Sequence, residues 1–274
     1  MKNKYFMFTC DVEYFGPHTE KGVNSFLELL DAYKIKGTFF VTCQIVNDYP
    51  DLVKDIIGHG HEVASHGYSH PVAERTFKFL DSLSDKEVEE EVARSYNKIA
   101  GKGFKVEGFR APAFKISDYA LACIRQWFRY DSSQVDFIVR AGRYKRLNEA
   151  QVQENNFIRI PVSSIGVMKI PFGSPYFMLL GSSIKRVISR YLADSVIVMF
   201  YCHCFDLVQS SHRAITPPRA IRNMIYFNLC GSTRARDFFN ALISTSVEKG
   251  FTFITCSQFC DILQKDEDNR AGIL

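Results

Sequence analysis

The chain has 274 residues, of which 46% are hydrophobic, and it carries 34 basic and 30 acidic residues for a net charge of +4. This supply of apolar residues, with 24 Phe and 13 Tyr, excludes intrinsic disorder and a miniature domain held together by disulfides. The basic cluster RAGRYKR at 140–146 is not joined to a nucleic-acid-binding motif, so we expect no nucleic-acid partner.

Segments of strand length alternate with segments of helical spacing in the first part of the chain. KYFMFTCDVE at 4–13 predicts a buried strand that ends in acidic residues, and apolar residues recur at helical intervals over 23–35. KGTFFVTCQIV at 36–46 and HEVASH at 61–66 predict two further strands. A short helix that ends at glycine is predicted between them, at 49–60.

The same alternation continues towards the carboxyl terminus. Ser84 and Glu87 have the spacing of a capping box, which predicts that a helix begins there. Segments 106–112, 195–203 and 251–259 predict strands, and 129–133 predicts a turn or a short strand, whereas 117–128 and 232–250 predict helices. Repeated βα units predict a mainly parallel sheet, either closed as a barrel or open.

Two apolar segments could be mistaken for a targeting sequence or a membrane span, but both are too short. The first reaches Asp11 before it could form a signal-peptide core. The second, 195–205, is far shorter than a bilayer crossing. The eight cysteines contain no C-x-x-C pair and lie mostly in apolar stretches, which is typical of reduced core residues. We predict a cytoplasmic protein without a transmembrane segment.

Polar residues follow several of the predicted strands, at the ends where ligand sites of parallel sheets gather. His66 and His70 are four residues apart, so a helical turn or tight loop could direct both imidazoles to one point. A histidine pair of this spacing often only faces solvent, and a zinc-like site needs a third ligand and an open position for water. Asp11 and Glu13 leave the same face of a strand, so one could bind a metal while the other accepts a proton. The alternative is an ordinary acidic loop far from the histidines.

Five short motifs occur in a characteristic order: TCDVE at 9–13, SHGYSH at 65–70, FRAPAF at 109–114, YDSS at 130–133 and FYCHCFDL at 200–207. Together they resemble the motifs of the polysaccharide deacetylases of the NodB-homology group, carbohydrate esterase family 4. The resemblance runs from about residue 5 to residue 262 and is greatest to the branch whose first motif reads D-V-E. It implies one catalytic domain over residues 1–274, a distorted (β/α)7 barrel.

The resemblance also implies a role for each matched residue. His66 and His70 would be metal ligands, and Asp11 would be the catalytic base. The aspartate that commonly follows this base in the family is replaced here by Val12, so we expect Glu13 to be the third ligand. His203 would protonate the departing amine.

Further residues would support these groups. Arg110 would orient the base carboxylate and Asp131 would support the site, although either could instead form a structural ion pair. The position after R-x-P, usually tyrosine in the family, is Ala113. Its backbone N–H would still face the oxyanion, while Phe114 could pack against the substrate.

The implied function is a metal-dependent carbohydrate N-deacetylase that acts on an acetylated sugar, a glycan or a lipid-linked glycan precursor. Its cofactor would be one divalent ion, zinc or else cobalt, nickel, manganese or iron. A lipid-linked substrate would place the protein at the membrane periphery. Two alternatives stay open: an amidohydrolase for a small cyclic or linear amide such as an imide or ureide, and a catalytically silent carbohydrate-binding relative.

Overall fold

A computed structural model describes residues 3–68, 79–135, 151–152, 157–166, 168–208 and 221–271. The strands are β1 (Tyr5–Val12), β2 (Thr38–Val41), β3 (Glu62–Ser65), β4 (Gly108–Phe109), β5 (Tyr130–Asp131), β6 (Gln151–Val152), β7 (Ile158–Arg159), β8 (Ser164–Ile165), β9 (Ile170–Pro171), β10 (Ile197–His203) and β11 (Thr252–Phe253). The helices are α1 (His18–Ala32), α2 (Cys43–Asp48), α3 (Pro50–Gly58), α4 (Asp85–Ala100), α5 (Asp118–Trp127), α6 (Ser174–Phe177), α7 (Ile184–Asp194), α8 (Ile221–Leu229), α9 (Thr233–Glu248) and α10 (Cys256–Ala271).

One curled, mostly parallel sheet organises the molecule. Its strands follow the order β10-β1-β2-β3-β4-β5-β7-β6, and β11 pairs with the first two residues of β1. Among the described pairings of this sheet, only β6 with β7 is antiparallel. The predicted α/β architecture with a mainly parallel sheet is confirmed.

The segment after β7 extends across the gap between β5 and β10, a region for which the sequence pattern indicates no clear elements. Val162 forms a bridge with Val135, which follows β5. The N–H of Ser163 donates to the carbonyl of Met199 in β10 (3.1 Å), and Gly173 forms a bridge with Tyr201 in the same strand. The sheet thereby curls into a distorted barrel whose ring is completed by irregular chain.

The side chains of β1 alternate between two hydrophobic cores. Phe8 and Val12 belong to the outer core, where the sheet packs against the helices. Met7 belongs to the inner core, enclosed by the curled sheet. Because successive strand residues point to opposite faces, Thr9 and Asp11 share the inner side with Met7. The same strand thus supplies the outer core and carries Asp11 into the barrel.

The predicted helix starts agree with the structure where the local signal is strong. The N–H of Ser84 donates to Glu87 Oε2 (2.8 Å), and the Ser84 hydroxyl accepts from the Glu87 N–H (3.5 Å). This is the predicted capping box, and α4 begins at the next residue. None of the helices within the described ranges is long and apolar enough to cross a membrane.

Two predicted strands end earlier than expected. The strand predicted over 36–46 stops at Val41, and the one predicted over 251–259 stops at Phe253. In the second case the N–H of Thr255 donates to Gln258 Oε1 (2.9 Å), and the N–H of Gln258 donates to Thr255 Oγ1 (3.2 Å). This is a second capping arrangement. It ends the extended backbone and begins α10 inside an apolar run that reads as a strand.

His61 lies just before β3 and has a structural role. Its side chain is 5% exposed, and its Nδ1 accepts from the N–H of Gly37 (3.1 Å). Nε2 therefore carries the proton, and it has no hydrogen-bond partner within the described part of the chain. Burial, assisted by the nearby charge of Lys36, lowers the pKa of His61 from 6.5 to about 4.

We expect acidification to destabilise the protein through His61. The pKa is lower in the folded state than in the unfolded chain, so the unfolded chain binds more protons between about pH 6.5 and pH 4. Stability is therefore lost as the pH falls through this window, by roughly 3 kcal/mol from this group. His61→Gln keeps a hydrogen-bond acceptor but cannot titrate. Urea unfolding at about pH 7 and about pH 4.5 should show a smaller loss in the variant, and an equal loss in both proteins would contradict this prediction.

Candidate active site

A buried ion pair occupies the inner side of the barrel near the carboxyl ends of the strands. Arg110, which is 0% exposed, donates through Nη1 to Asp11 Oδ1 (2.8 Å) and to the hydroxyl of Thr9 (2.9 Å). Its Nη2 donates to the hydroxyl of Ser132 (2.9 Å), and its guanidinium lies 4.0 Å from the centre of the Phe40 ring. Contacts from several strands therefore fix the guanidinium, which in turn fixes the orientation of the Asp11 carboxylate.

The register of the parallel strands explains why residues distant in sequence meet here. Asp11 in β1 pairs with His203 in β10. Ser65, at the end of β3, pairs with Phe109 in β4, and Phe109 pairs with Asp131 in β5. Since parallel strands all end at one edge, the residues at or just after these strand ends gather there. The structure thus brings to this edge every predicted site residue that it describes.

A second buried pair lies beside the first. Glu13 Oε1 is 3.4 Å from His66 Nε2, and the two side chains are only 9% and 2% exposed. His66 Nδ1 lies 2.9 Å from the carbonyl oxygen of Arg110. Because a carbonyl can only accept, Nδ1 carries a proton in either charge state, and Nε2 is the nitrogen that faces Glu13.

The electrostatic environment of His66 favours positive charge. Burial by itself lowers the pKa of this imidazole, but the carboxylates of Asp11 and Glu13 outweigh that effect and raise it above its usual value. Arg110 acts in the opposite direction.

The Glu13–His66 pair fits part of a divalent metal site. A carboxylate oxygen and an imidazole nitrogen with a fixed tautomer are donors that zinc and similar ions accept, and the carbonyl bond to Nδ1 is the usual outer support of such a histidine. The proposed second histidine ligand, His70, falls outside the described residues. Within those residues no group of three His, Cys, Asp or Glu side chains is placed to hold an ion. Val12 belongs to the outer core, whereas the Glu13 side chain reaches the site.

His203 ends β10 opposite Asp11 and is half-buried. Its ring stacks on that of Phe205 (centroids 5.1 Å apart, interplanar angle 18°). Its Nδ1 lies 2.8 Å from the hydroxyl oxygen of Tyr226 in α8, and its backbone N–H donates to Asp206 Oδ2 (3.1 Å). Sequence reasoning missed both partners. Asp206 lies in the fifth motif and could have been noticed as an acid three residues after the histidine, whereas no pattern pointed to Tyr226.

Asp131 contacts the site indirectly. Its Oδ1 accepts from the N–H (3.0 Å) and the hydroxyl of Ser133, and the Ser133 hydroxyl oxygen accepts from the N–H of Ala111 (2.7 Å). Arg159 Nε lies 3.6 Å from the other carboxylate oxygen. Burial raises the pKa of Asp131, although Arg159 and the bonds from Ser133 oppose that effect. The structural ion pair foreseen as an alternative is thus present, and Asp131 also holds the backbone just before the proposed oxyanion donor.

Ala113 and Phe114 occupy a strained stretch of backbone. Their φ angles are 53° and 58°, in the left-handed region that residues with a Cβ seldom adopt. Such strain persists where surrounding contacts impose it, and it concentrates at functional sites. Among the described residues no hydrogen bond engages the N–H of Ala113. The ring of Phe114 packs edge-on against Tyr201 of the inner core (5.1 Å, 81°).

Comparison with known proteins finds similarity to one family. The family model described as polysaccharide deacetylase matches residues 1–127. The peptidoglycan-N-acetylmuramic acid deacetylase PdaA of Bacillus subtilis is 34% identical over 122 residues, which cover 44% of this chain and 42% of that protein. These matches relate residues 1–127 of the chain to the polysaccharide deacetylase family. A chitooligosaccharide deacetylase of Rhizobium leguminosarum is 42% identical over 45 residues, covering 16% of this chain and 21% of that one. The chain therefore spans less than half the length of these two relatives.

Solved structures confirm the barrel fold of this chain. A Mycobacterium smegmatis protein assigned as a polysaccharide deacetylase superimposes with a TM-score of 0.64 at 18% identity, covering 97% of this chain and 92% of that chain. A Bacillus anthracis pseudoenzyme of carbohydrate esterase family 4 superimposes with a TM-score of 0.57 at 13% identity, covering 94% and 66%. The fold is thus shared by a pseudoenzyme, so activity has to be argued from side chains.

Proposed function

We propose that this protein hydrolyses the N-acetyl group of a sugar unit, with acetate and a free amino sugar as products. The observation that carries the proposal is the pairing of two buried carboxylates with different partners at one strand end. Asp11 is held by Arg110 at 2.8 Å, whereas Glu13 faces His66 at 3.4 Å. One carboxylate can therefore accept a proton while the other helps to hold a cation.

We assign Glu13, His66 and His70 as the ligands of one divalent ion, zinc or a metal of similar preference. Such an ion, when bound, supplies electrophilic polarisation of the acetyl carbonyl and of the attacking water. In the D-V-E first motif, the side chain of Val12 belongs to the outer core, whereas that of Glu13, the residue after the strand, lies against His66. We therefore assign Glu13, and not residue 12, as the carboxylate ligand.

The remaining steps belong to the side chains and backbone of this chain. Asp11 accepts the proton of the attacking water, and its orientation comes from Arg110. The N–H of Ala113 donates to the oxyanion that forms on the acetyl carbonyl oxygen. The C–N bond then breaks as His203 donates a proton to nitrogen, since an amide nitrogen leaves poorly as an anion.

The substrate class that we propose is based on the names of the relatives. Their names specify peptidoglycan and chitooligosaccharide substrates. We therefore propose an acetylated glycan or glycan precursor, free or lipid-linked, as the substrate of this chain.

Acetate release tests this function directly. Purified protein, reconstituted with zinc or cobalt, is incubated with chitooligosaccharides, peptidoglycan fragments and a lipid-linked acetylated disaccharide, and acetate and free amine are measured together. We expect acetate and amine in equal amounts, and metal bound by the wild type but lost from a folded His66→Ala variant. Ring-opened acids from imide or ureide substrates, without acetate, would identify an amidohydrolase instead. Glycan binding without any product would identify a silent relative like the pseudoenzyme neighbour.

A further inference from the structure

A hydrogen-bonded chain of three residues extends from the site into the protein. His203 Nδ1 lies 2.8 Å from the hydroxyl oxygen of Tyr226, and that hydroxyl donates to Asp206 Oδ1 at 2.5 Å. The second carboxylate oxygen of Asp206 accepts from the backbone N–H of His203 at 3.1 Å. The carboxylate of Asp206 therefore holds His203 twice, directly at the backbone and through Tyr226 at the ring.

The direction of each bond in this chain follows from chemistry. Asp206 can only accept when ionised, so the single proton of the Tyr226 hydroxyl is committed to it. The tyrosine oxygen can then only accept from His203, and Nδ1 must carry a proton. The unprotonated nitrogen of a neutral imidazole is therefore Nε2, the one that does not face Tyr226.

The protein buries the two partners of His203. Asp206 is 0% exposed and Tyr226 is 7% exposed. Burial, more than any neighbouring charge, raises the pKa of Tyr226, so the hydroxyl keeps its proton and stays a donor. Among the described residues, the titratable groups near these three residues include Asp11 across the strand pair, Tyr201 beside His203 and Cys230 beside Asp206 (3.9 Å). The thiols of Cys10, Cys202 and Cys204 also lie near Asp206.

Asp131, the acid of the fourth motif, does not hold the His203 ring in this way. The described hydrogen bonds and ion pair of Asp131 are with Ser133 and Arg159, and neither of these residues contacts His203. In the described part of the chain, the hydrogen-bond partner of the His203 ring is Tyr226.

We propose that Tyr226, anchored by Asp206, is a positioning residue that sets the tautomer of His203: Nδ1 keeps its proton throughout, while Nε2 takes up the second proton of the imidazolium form and gives it to the leaving amine. This inference rests on the proposed function for its catalytic consequence, but the tautomer itself is a property of the resting protein. Tyr226 does not touch the substrate in this scheme and acts only through His203.

Tyr226→Phe is the variant that tests the kinetic part. It removes one oxygen atom and keeps the ring that packs beside Phe205 and Phe227 (centroids 6.0 and 5.3 Å). We expect kcat for acetate release to fall about 10- to 100-fold, with KM within about threefold of wild type, because proton donation is impaired while binding is not. Tyr33→Phe, which removes a hydroxyl bonded to Asn240 (3.0 Å) on the outer helices, is the matched control and should leave both constants unchanged.

The tautomer is measured without any turnover. In ¹⁵N-labelled protein, the His203 ring resonances are identified by their loss in His203→Gln. Wild type should show protonated Nδ1 and unprotonated Nε2 when the ring is neutral, whereas Tyr226→Phe should show a mixture or the reverse tautomer. The same tautomer in both proteins would overturn the proposal. If the wild type shows the expected tautomer but releases no acetate from any substrate, the positioning stands and the proposed deacetylase function fails.

Discussion

Asp11→Asn is expected to lower kcat for acetate release about 10³-fold, the size of effect typical when a general base is lost. The amide oxygen of Asn can still accept from Arg110 Nη1, which lies 2.8 Å from Asp11 Oδ1. The variant should therefore fold and keep the geometry of the site, while it can no longer take a proton from water. The expected pattern is a folded protein, with its metal, that does not turn over.

Three measurements distinguish this result from general damage. The unfolding midpoint in urea should stay near that of wild type, and elemental analysis should find a similar metal content, because Glu13 and His66 are untouched. Asp51→Asn, at an exposed carboxylate that pairs with Lys54 (2.8 Å), should be fully active. Turnover in Asp11→Asn equal to that of wild type would exclude Asp11 as the base.

Arg110→Met is expected to destabilise the folded state by about 3–5 kcal/mol, the usual result of removing one partner from a buried ion pair. Methionine fills much of the volume, but the Asp11 carboxylate is left buried without its cation. The hydroxyls of Thr9 and Ser132 also lose the donors that now lie 2.9 Å away. Urea denaturation followed by circular dichroism measures the difference, and the folded fraction of the variant should release acetate far more slowly than wild type.

The control for this variant is an arginine of the same chemistry in a different environment. Arg94 is exposed, and its guanidinium lies 4.0 Å above the Tyr68 ring. Arg94→Met should lower the free energy of unfolding by less than about 1 kcal/mol. Should Arg110→Met prove too unstable to purify, Arg110→Lys keeps the positive charge and loses the forked hydrogen bonds, so a smaller destabilisation with impaired turnover is expected. If Arg110→Met destabilises the protein no more than Arg94→Met does, the buried ion pair with Asp11 does not have the stabilising role that we predict.

The local rules of the sequence predicted much of the fold. The period of two in β1 places Asp11 on the inner side, and the capping box at Ser84 begins α4, as the structure shows. These rules succeed because each depends on residues only a few positions apart. They fail where one local signal competes with another, as at Thr255, where a helix cap overrides an apolar run that reads as a strand.

Other features depend on contacts between distant segments and had no local signal. Tyr226 reaches His203 from a helix 23 residues further along the chain, and Ser163 contacts β10 across the sheet. Asp131 illustrates the same limit in another way, because its position in a motif indicated that it supports the site but not that it acts through Ser133 and the backbone of Ala111.

By itself, the sequence determined that the chain alternates strands and helices, that Asp11, Glu13, His66, Arg110 and His203 lie at or near strand ends, and that the motifs match one family. The tertiary structure decided which of these groups are partners: Asp11 with Arg110, Glu13 with His66, and His203 with Tyr226 and Asp206. The physical reason is that strand periodicity sets the direction of a side chain from its immediate neighbours. Its partner, protonation state and tautomer depend instead on whatever the curled sheet brings against it from elsewhere in the chain.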